Sequence, residues 1–202
     1  ASASIIADPE LRNGHHALFP PLPETLSEAR AVRAAFPAGT TLQGADATVD
    51  ALERQLPGAQ LVHFAGHGYS DSENGGLVFA PSAQGNEDYT VLSAADLRYQ
   101  DWSSCRLAVL SACAAGEGEI QGAYNPDSLV RALTKAGASS VLACLWNADS
   151  ASTRELMRVF YGSLAKGIEP ADALRMARQW VRRQPGWEHP YYWAGFQLYG
   201  PA

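Results

Sequence analysis

Gln60-Leu-Val-His-Phe-Ala65, running into Gly66-His67-Gly68, is a nearly continuous apolar run closed by glycines. That is the pattern of a strand buried on both faces, not of one half exposed to water. Two runs of the same kind follow it: Arg106-Leu-Ala-Val-Leu110, ending at Ser111-Ala112-Cys113, and Val141 to Trp146. Segments of helical period lie around them. Glu24 to Phe36 carries Leu26, Ala29, Val32 and Phe36 at helical spacing and stops at Pro37-Ala38-Gly39. Ala47 to Leu56, with Asp46 as the expected N-cap, stops at Pro57-Gly58. Asn125-Pro126 opens a helix through Lys135 closed by Gly137, and helices over 150–166 and 170–184 come next. Buried strands alternating with helices predict an α/β fold, an open and mostly parallel sheet with helices on both faces.

Working outward, Ile5 to Ala7, Thr40 to Leu42 and Trp193 to Tyr199 read as further strands. Gly76 to Ala80 and Tyr89 to Leu92 read as a peripheral β-hairpin, before a short helix capped by Ser93. No repeat, low-complexity tract or linker divides residues 1–202, which are read as a single domain.

The composition, 47% hydrophobic and 18% charged, is that of an ordinary globular chain. Its net charge of -6 leaves no global basic field for a phosphate backbone, so direct nucleic-acid binding is not expected. The longest apolar stretch, Val141 to Trp146, falls far short of the ~20 residues a bilayer helix needs, and no membrane role is expected. The opening ASASIIADPE has no basic region ahead of an apolar core and does not read as a signal peptide. Cys105, Cys113 and Cys144 form neither a CxxC nor a Cys/His zinc pattern, which suits reduced thiols in the cytoplasm and no metal.

His67 and Cys113 stand just past the expected C-terminal ends of neighbouring strands, where open α/β sheets face their ligands. An imidazole that takes the thiol proton raises the thiolate fraction and can later protonate a leaving amine. The backbone N–H groups of Gly68 and Cys113 are candidate donors to an oxyanion. Cys105 and Cys144, beside or inside strands, read as small core hydrophobes. His63, inside a strand, reads as a core histidine, and His15, His16 and His189 lie in loops with no visible partner. An α/β-hydrolase reading fails, since Ser111-Ala112-Cys113-Ala114-Ala115 lacks the glycines of the nucleophile elbow and the histidine comes early.

His63 to Gly68 (HFAGHG), Gly76 to Ala80 (GLVFA), Leu92 to Leu97 (LSAADL), Leu107 to Cys113 (LAVLSAC), Leu129 to Trp146 (LVRALTKAGASSVLACLW) and His189 to Gly200 (HPYYWAGFQLYG) together resemble the CHAT domain. CHAT proteins are caspase-like cysteine peptidases, akin to separase, caspases and metacaspases. The resemblance implies a general base at His67, a nucleophile at Cys113, and oxyanion donors on the backbone of Gly68 and Cys113, with no cofactor. It also implies the C-terminal part of a larger bacterial protein, a protein substrate, and control by an upstream sensor or partner, in several relatives within antiviral defence. Ala114-Ala115-Gly116 departs from the segment close to Glu-Thr-Gly that many relatives carry after the nucleophile.

After Leu-Trp the family commonly carries two acids, and here those positions are Asp149 and Ser150. In separase-like relatives an acid in this stretch binds the substrate's arginine; Asp149 equally suits the N-cap of helix 150–166. Glu117, Glu119, Asp127 and Asp149 edge the expected cleft, while no Lys or Arg occurs from Leu107 through Val130. A basic or long uncharged residue is therefore expected before the scissile bond, with Asp149, Ser150, Glu117 and Glu119 as candidate pocket residues. A caspase-like preference for an acidic residue would need converging arginines, and none lies between Arg54 and Arg98. The reading from a different class is a catalytically silent, peptidase-fold interaction module.

Overall fold

The computed structural model describes residues 2–12, 19–70, 75–114 and 126–200, with backbone alone at Pro23, Ser70, Cys113, Ala114 and 126–128. Eight strands among the described residues form one sheet, six of them in the order β2-β1-β3-β6-β7-β8 with β4 and β5 off this path. They are β1 (Ala3–Pro9), β2 (Thr40–Gly44), β3 (Leu61–Ser70), β4 (Gly75–Phe79), β5 (Thr90–Ser93), β6 (Leu107–Ala114), β7 (Val141–Cys144) and β8 (Phe196–Tyr199). β2, β1, β3, β6 and β7 are mutually parallel and β8 closes the far edge antiparallel to β7. β4 pairs antiparallel with β3 and with β5.

Strand alternation sorts the core into two layers. Ile6, Val62, Phe64, Leu110 and Ala143 pack with Leu52, Leu97 and Leu133 of α2 (Val49–Gln55), α3 (Ala94–Leu97) and α4 (Pro126–Lys135). Ile5, Leu61, Val109 and Leu142 face the other way, onto Val32, Phe160 and Val181 of α1 (Pro23–Ala35), α5 (Ser150–Leu164) and α6 (Pro170–Arg182). The helices thus cover both faces, as the buried central strands require.

The hairpin is less peripheral than expected. β1 follows β3 only as far as Ala7 opposite Ala65; Asp8 then takes a positive φ of 45° and shifts the register, after which Pro9 pairs only with Gly44 of β2. Gly68 pairs with Ala114 on one edge and with Leu77 of β4 on the other, so β4 takes over the edge that β1 vacates. This replacement carries β3 and β6 beyond their expected ends at Ala65 and Leu110.

Other boundaries also moved for local reasons. Thr48, not Asp46, caps α2: its Oγ1 accepts from Ala51 N–H at 3.2 Å, because a turn through Gly44 to Ala47 delays the helix. β7 ends at Cys144, two residues before Trp146, although Leu145 N–H still bonds the Gly195 carbonyl in register with the pairing of β7 and β8. β8 starts at Phe196 because Pro190–Tyr192 forms a 3-10 turn ahead of it. The Ser93 cap was as expected, with Asp96 completing a capping box. No helix among the described residues is long and apolar enough to cross a membrane.

Two glycines give opposite outcomes on substitution. Gly137 has φ 115°, and a Cβ there would meet Ser103 backbone atoms at 2.9 Å, whereas Gly162 lies within α5 with nothing inside 4 Å. Gly137→Ala is expected to lose more than about 1 kcal/mol in urea unfolding, and Gly162→Ala to gain about 0.5–1 kcal/mol. Equal effects of the two would show that the Gly137 turn is not held against Ser103.

Candidate active site

Parallel register sets β3 against β6 from Leu61 opposite Leu107 through His67 opposite Cys113 to Gly68 opposite Ala114. The expected dyad therefore lies side by side on the two central strands, inside the ladder and not beyond it. Small residues at Ala65, Gly66, Ser111 and Ala112 let the strands run on without a break. A Cβ on Gly66 would meet the Phe64 ring at 2.9 Å. Gly68 likewise stands within the sheet, between Leu77 and Ala114, not on an open exit.

His67 is 9% exposed and its ring is held on two sides. Phe19 packs against it with centroids 5.3 Å apart, and Nε2 lies 2.7 Å from the Pro20 carbonyl oxygen. A carbonyl only accepts, so Nε2 carries the proton and donates. That fixes the neutral tautomer and leaves the Nδ1 lone pair as the basic site. Burial lowers the His67 pKa, opposed by the Pro20 bond and by the Asp8 carboxylate. Asp8 is itself placed by accepting from Leu22 N–H at 3.4 Å, just ahead of α1.

Sequence reasoning missed Phe19, Pro20 and Asp8. The signal present was Pro20-Pro21, a pair that offers carbonyl acceptors and no N–H donors of its own. Asp8-Pro9 was read only as a strand end, yet the backbone of β1 breaks register at Asp8, whose carboxylate acts on the His67 ring.

Beside the dyad strands is a cavity of about 220 Å³, lined by Glu24 and Glu28 of α1, Gly66 and Ser111 of the sheet, and Ser150 and Thr153 of α5. Ser150 is thus brought to the cavity, whereas Asp149 is not among its lining residues: its carboxylate accepts from Ser152 N–H at 2.8 Å and caps α5. Glu117 and Glu119 lie outside the described residues, as do His15 and His16. A larger cavity of about 440 Å³ opens around Leu61 and Leu107, at the opposite ends of β3 and β6 from His67.

His63, on the same face of β3 as His67, is a fully buried core histidine as expected. Burial pushes its pKa down to about 3, so it is neutral. Its Nδ1 lies 2.7 Å from the Tyr161 hydroxyl, and its Nε2 lies 3.6 Å from the buried Glu28 carboxylate. With Nε2–H directed at the acceptor-only carboxylate, the hydroxyl donates to Nδ1. Burial pushes the Tyr161 hydroxyl pKa up, and the Glu28 charge adds to it. Cys105 is buried, with its thiol pushed up to about 11, and Cys144 is buried against the cavity, both as expected of core cysteines. His189 does have a partner, accepting from Tyr191 N–H at 3.2 Å to start the 3-10 turn.

A mostly parallel sheet covered by helices on both faces, with a hairpin added to its central strand, is the caspase-like α/β fold. The chain belongs to the CHAT domain family, which it matches over residues 1–201. It is similar to the mouse tetratricopeptide repeat protein 28, 28% identical over 98% of this chain but only 9% of that protein's length. Among solved structures it resembles one chain in the complex of the pro- and mature domains of Porphyromonas gingivalis RgpB, a gingipain, with TM-score 0.59, 13% identity, and coverage of 98% of this chain and 47% of that one. It also resembles the Drosophila initiator caspase Dronc, with TM-score 0.55, 8% identity, and coverage of 98% and 78%.

The buried His63 makes stability depend on pH. Its folded pKa of about 3 lies below the unfolded value of 6.5, so between those values the unfolded state holds the extra proton. This contribution is present in full above pH 6.5 and is lost as pH falls toward 3, with a slope of about 1.4 kcal/mol per pH unit. Imidazole NMR should find His63 neutral at pH 5, and Tyr161→Phe should cost about 1–3 kcal/mol by leaving Nδ1 without its donor. A His63 that titrates near pH 6 would mean that water reaches this network.

Proposed function

We propose that the chain is a cysteine endopeptidase in which Cys113 is the nucleophile and His67 the base. The observation that carries this reading is the register pair His67 and Cys113, together with the Nε2 bond to Pro20 that reserves Nδ1 for a thiol proton. Transfer of that proton to Nδ1 leaves a thiolate, which attacks the substrate carbonyl carbon. The oxyanion donors that the family resemblance suggests are the backbone N–H groups of Gly68 and Cys113, which the ladder of β3 and β6 pairs in this structure. As the C–N bond breaks, Nδ1–H protonates the leaving amine and an acyl thioester remains. Water, deprotonated by Nδ1, then releases the acid and restores the thiol. While the ring is charged, the Pro20 carbonyl and the Asp8 carboxylate both favour the imidazolium.

The cavity beside Ser111 is the reading's receptor for the side chain preceding the scissile bond. Ser111 is two residues before Cys113 on β6, and the carboxylates on the cavity wall exclude an acidic side chain and favour a basic one. Asp149 does not line the cavity, and of the two carboxylates that do, the direct acidic contact is assigned to Glu28, the more deeply buried, whose carboxylate also faces His63 Nε2 at 3.6 Å. Control by a regulatory module is supported by the curated relative, in which the matching segment is 9% of a tetratricopeptide repeat protein.

A peptide library incubated with the protein and mapped by mass spectrometry tests this reading. Cuts are expected after Lys or Arg; Cys113→Ala and His67→Ala should each lower cleavage by at least about a thousandfold, while Cys105→Ala and Cys144→Ala cleave normally. Wild-type cleavage by Cys113→Ala would refute the nucleophile. Absence of turnover in the wild type, alone and with a partner that binds it, would leave the interaction-module reading in its place.

Glu28 can be separated from the dyad. Glu28→Gln should lower kcat/KM for basic substrates by about tenfold or more relative to a leucine substrate, and Glu28→Asp should retain the preference. An unchanged preference in Glu28→Gln would remove Glu28 from the pocket.

A further inference from the structure

The cavity away from the dyad strands that combines charge with incomplete hydrogen bonding lies along α6. Arg175, Arg178 and Arg182 form one stripe on this helix and, with Leu174 and Trp193, line a groove of about 230 Å³. From Pro170 to Arg183 the sequence holds four arginines against one aspartate, in a chain whose net charge is -6. Arg175 is paired to that aspartate, Asp172, at 3.0 Å on the exposed side of the helix. The Arg182 guanidinium lies over the Trp193 ring at 5.5 Å from its centroid. At the centre, Arg178 donates from Nη2 to the Phe196 carbonyl, while its Nε is buried with no hydrogen-bond partner among the described residues. A buried guanidinium donor with nothing to bond is costly, and a carboxylate brought into the groove would relieve it.

We propose that this groove is a docking site for an acidic segment of a protein partner. Charge complementarity selects the occupant. The guanidinium forks suit carboxylates, and Leu174 and the Trp193 face suit the apolar residues between them. A nucleic acid does not suit it, because the basic surface is a single helical stripe on an acidic protein, too short to track a phosphate backbone.

The groove is also joined to the candidate active site. Trp193 follows the 3-10 turn Pro190–Tyr192, whose Tyr191 accepts from Trp146 Nε1–H at 3.2 Å and donates its hydroxyl proton to the Asn147 carbonyl at 2.8 Å. The next residue, Ala148, and then Ser150 line the cavity beside Ser111. A segment seated on α6 therefore rests one turn away from the wall of that cavity, although docking itself does not require the dyad to be active.

Fluorescence anisotropy with the intact chain and a fluorescein-labelled peptide of alternating glutamate and leucine tests the proposal. Saturable binding is expected, weakening as salt is raised. The double variant Arg175→Gln/Arg182→Gln, both exposed and outside the fold's hydrogen bonds to β8, should bind about tenfold more weakly, and Arg178→Gln at least as weakly. Arg183→Gln, adjacent in sequence but not lining the groove, should bind within about twofold of wild type. Binding that survives the double variant, equal loss in Arg183→Gln, or a matching lysine and leucine peptide that binds as well would overturn the proposal. Single-stranded DNA or inorganic phosphate competing on equal terms with the acidic peptide would overturn the protein segment as occupant.

Discussion

The ladder between β3 and β6 is the constraint on which the candidate site rests. Each of its pairs is set by the one before, from Leu61 opposite Leu107 to His67 opposite Cys113. Because side chains alternate with a period of two, a slip of one residue would turn every buried residue of one strand to the wrong layer. The register is therefore locked by the two cores, with Val62, Phe64 and Leu110 on one face and Leu61, Leu107 and Val109 on the other. The relation between histidine and cysteine is thus inherited from packing far from the chemistry. It also explains why β4 matters: without a second partner at Gly68, β3 would have an open edge where the ladder reaches His67.

Two histidines on one face of one strand show how environment divides their roles. His63 is enclosed by Tyr161 and Glu28 and stays neutral, because its burial outweighs every charge near it. His67 is buried less completely, and its desolvation is opposed by a carbonyl acceptor and a carboxylate. That opposition suits the general base proposed at His67, whose burial favours the neutral ring while the carbonyl and the carboxylate favour the imidazolium. The difference arises where the strand ends. His63 lies under α5, whereas His67 lies under the segment from Phe19 to Pro20 that leads into α1.

What the sequence made legible was what local pattern controls. The buried runs of β3, β6 and β7, the helices that end at Lys135 and start at Pro170, and the Ser93 cap all follow from periodicity and capping chemistry. The strand ends were misread because glycine is taken as a stop, while at Gly66 it admits the Phe64 ring and at Gly68 a strand on either side. Asp46 lost the α2 cap to Thr48 because a backbone turn, invisible to side-chain pattern, came first. The Pro20 carbonyl, the Asp8 carboxylate and the Glu28 wall were not legible. Each meets its partner across a long stretch of chain, as Pro20 does with His67, and a backbone oxygen leaves no residue type to read.

Charge was the feature most distorted by averaging. A net value of -6 describes neither the carboxylates of the α1 wall nor the arginine stripe of α6, yet each acts at short range. At physiological salt, a charge separated by more than about 8 Å of water is largely screened, so a ligand responds to the groups it touches and hardly to the total. In the cavity beside Ser111 the Glu28 carboxylate is buried among the apolar walls of Leu22, Cys144 and Phe196, which strengthens its local field. Along α6 the burial of Arg178 does the same with the opposite sign, lowering its pKa through desolvation while leaving it a cation. The two proposed sites thus present opposite charges on one acidic molecule, and the hydrogen bonds of Tyr191 with Trp146 and Asn147 are the short link between them.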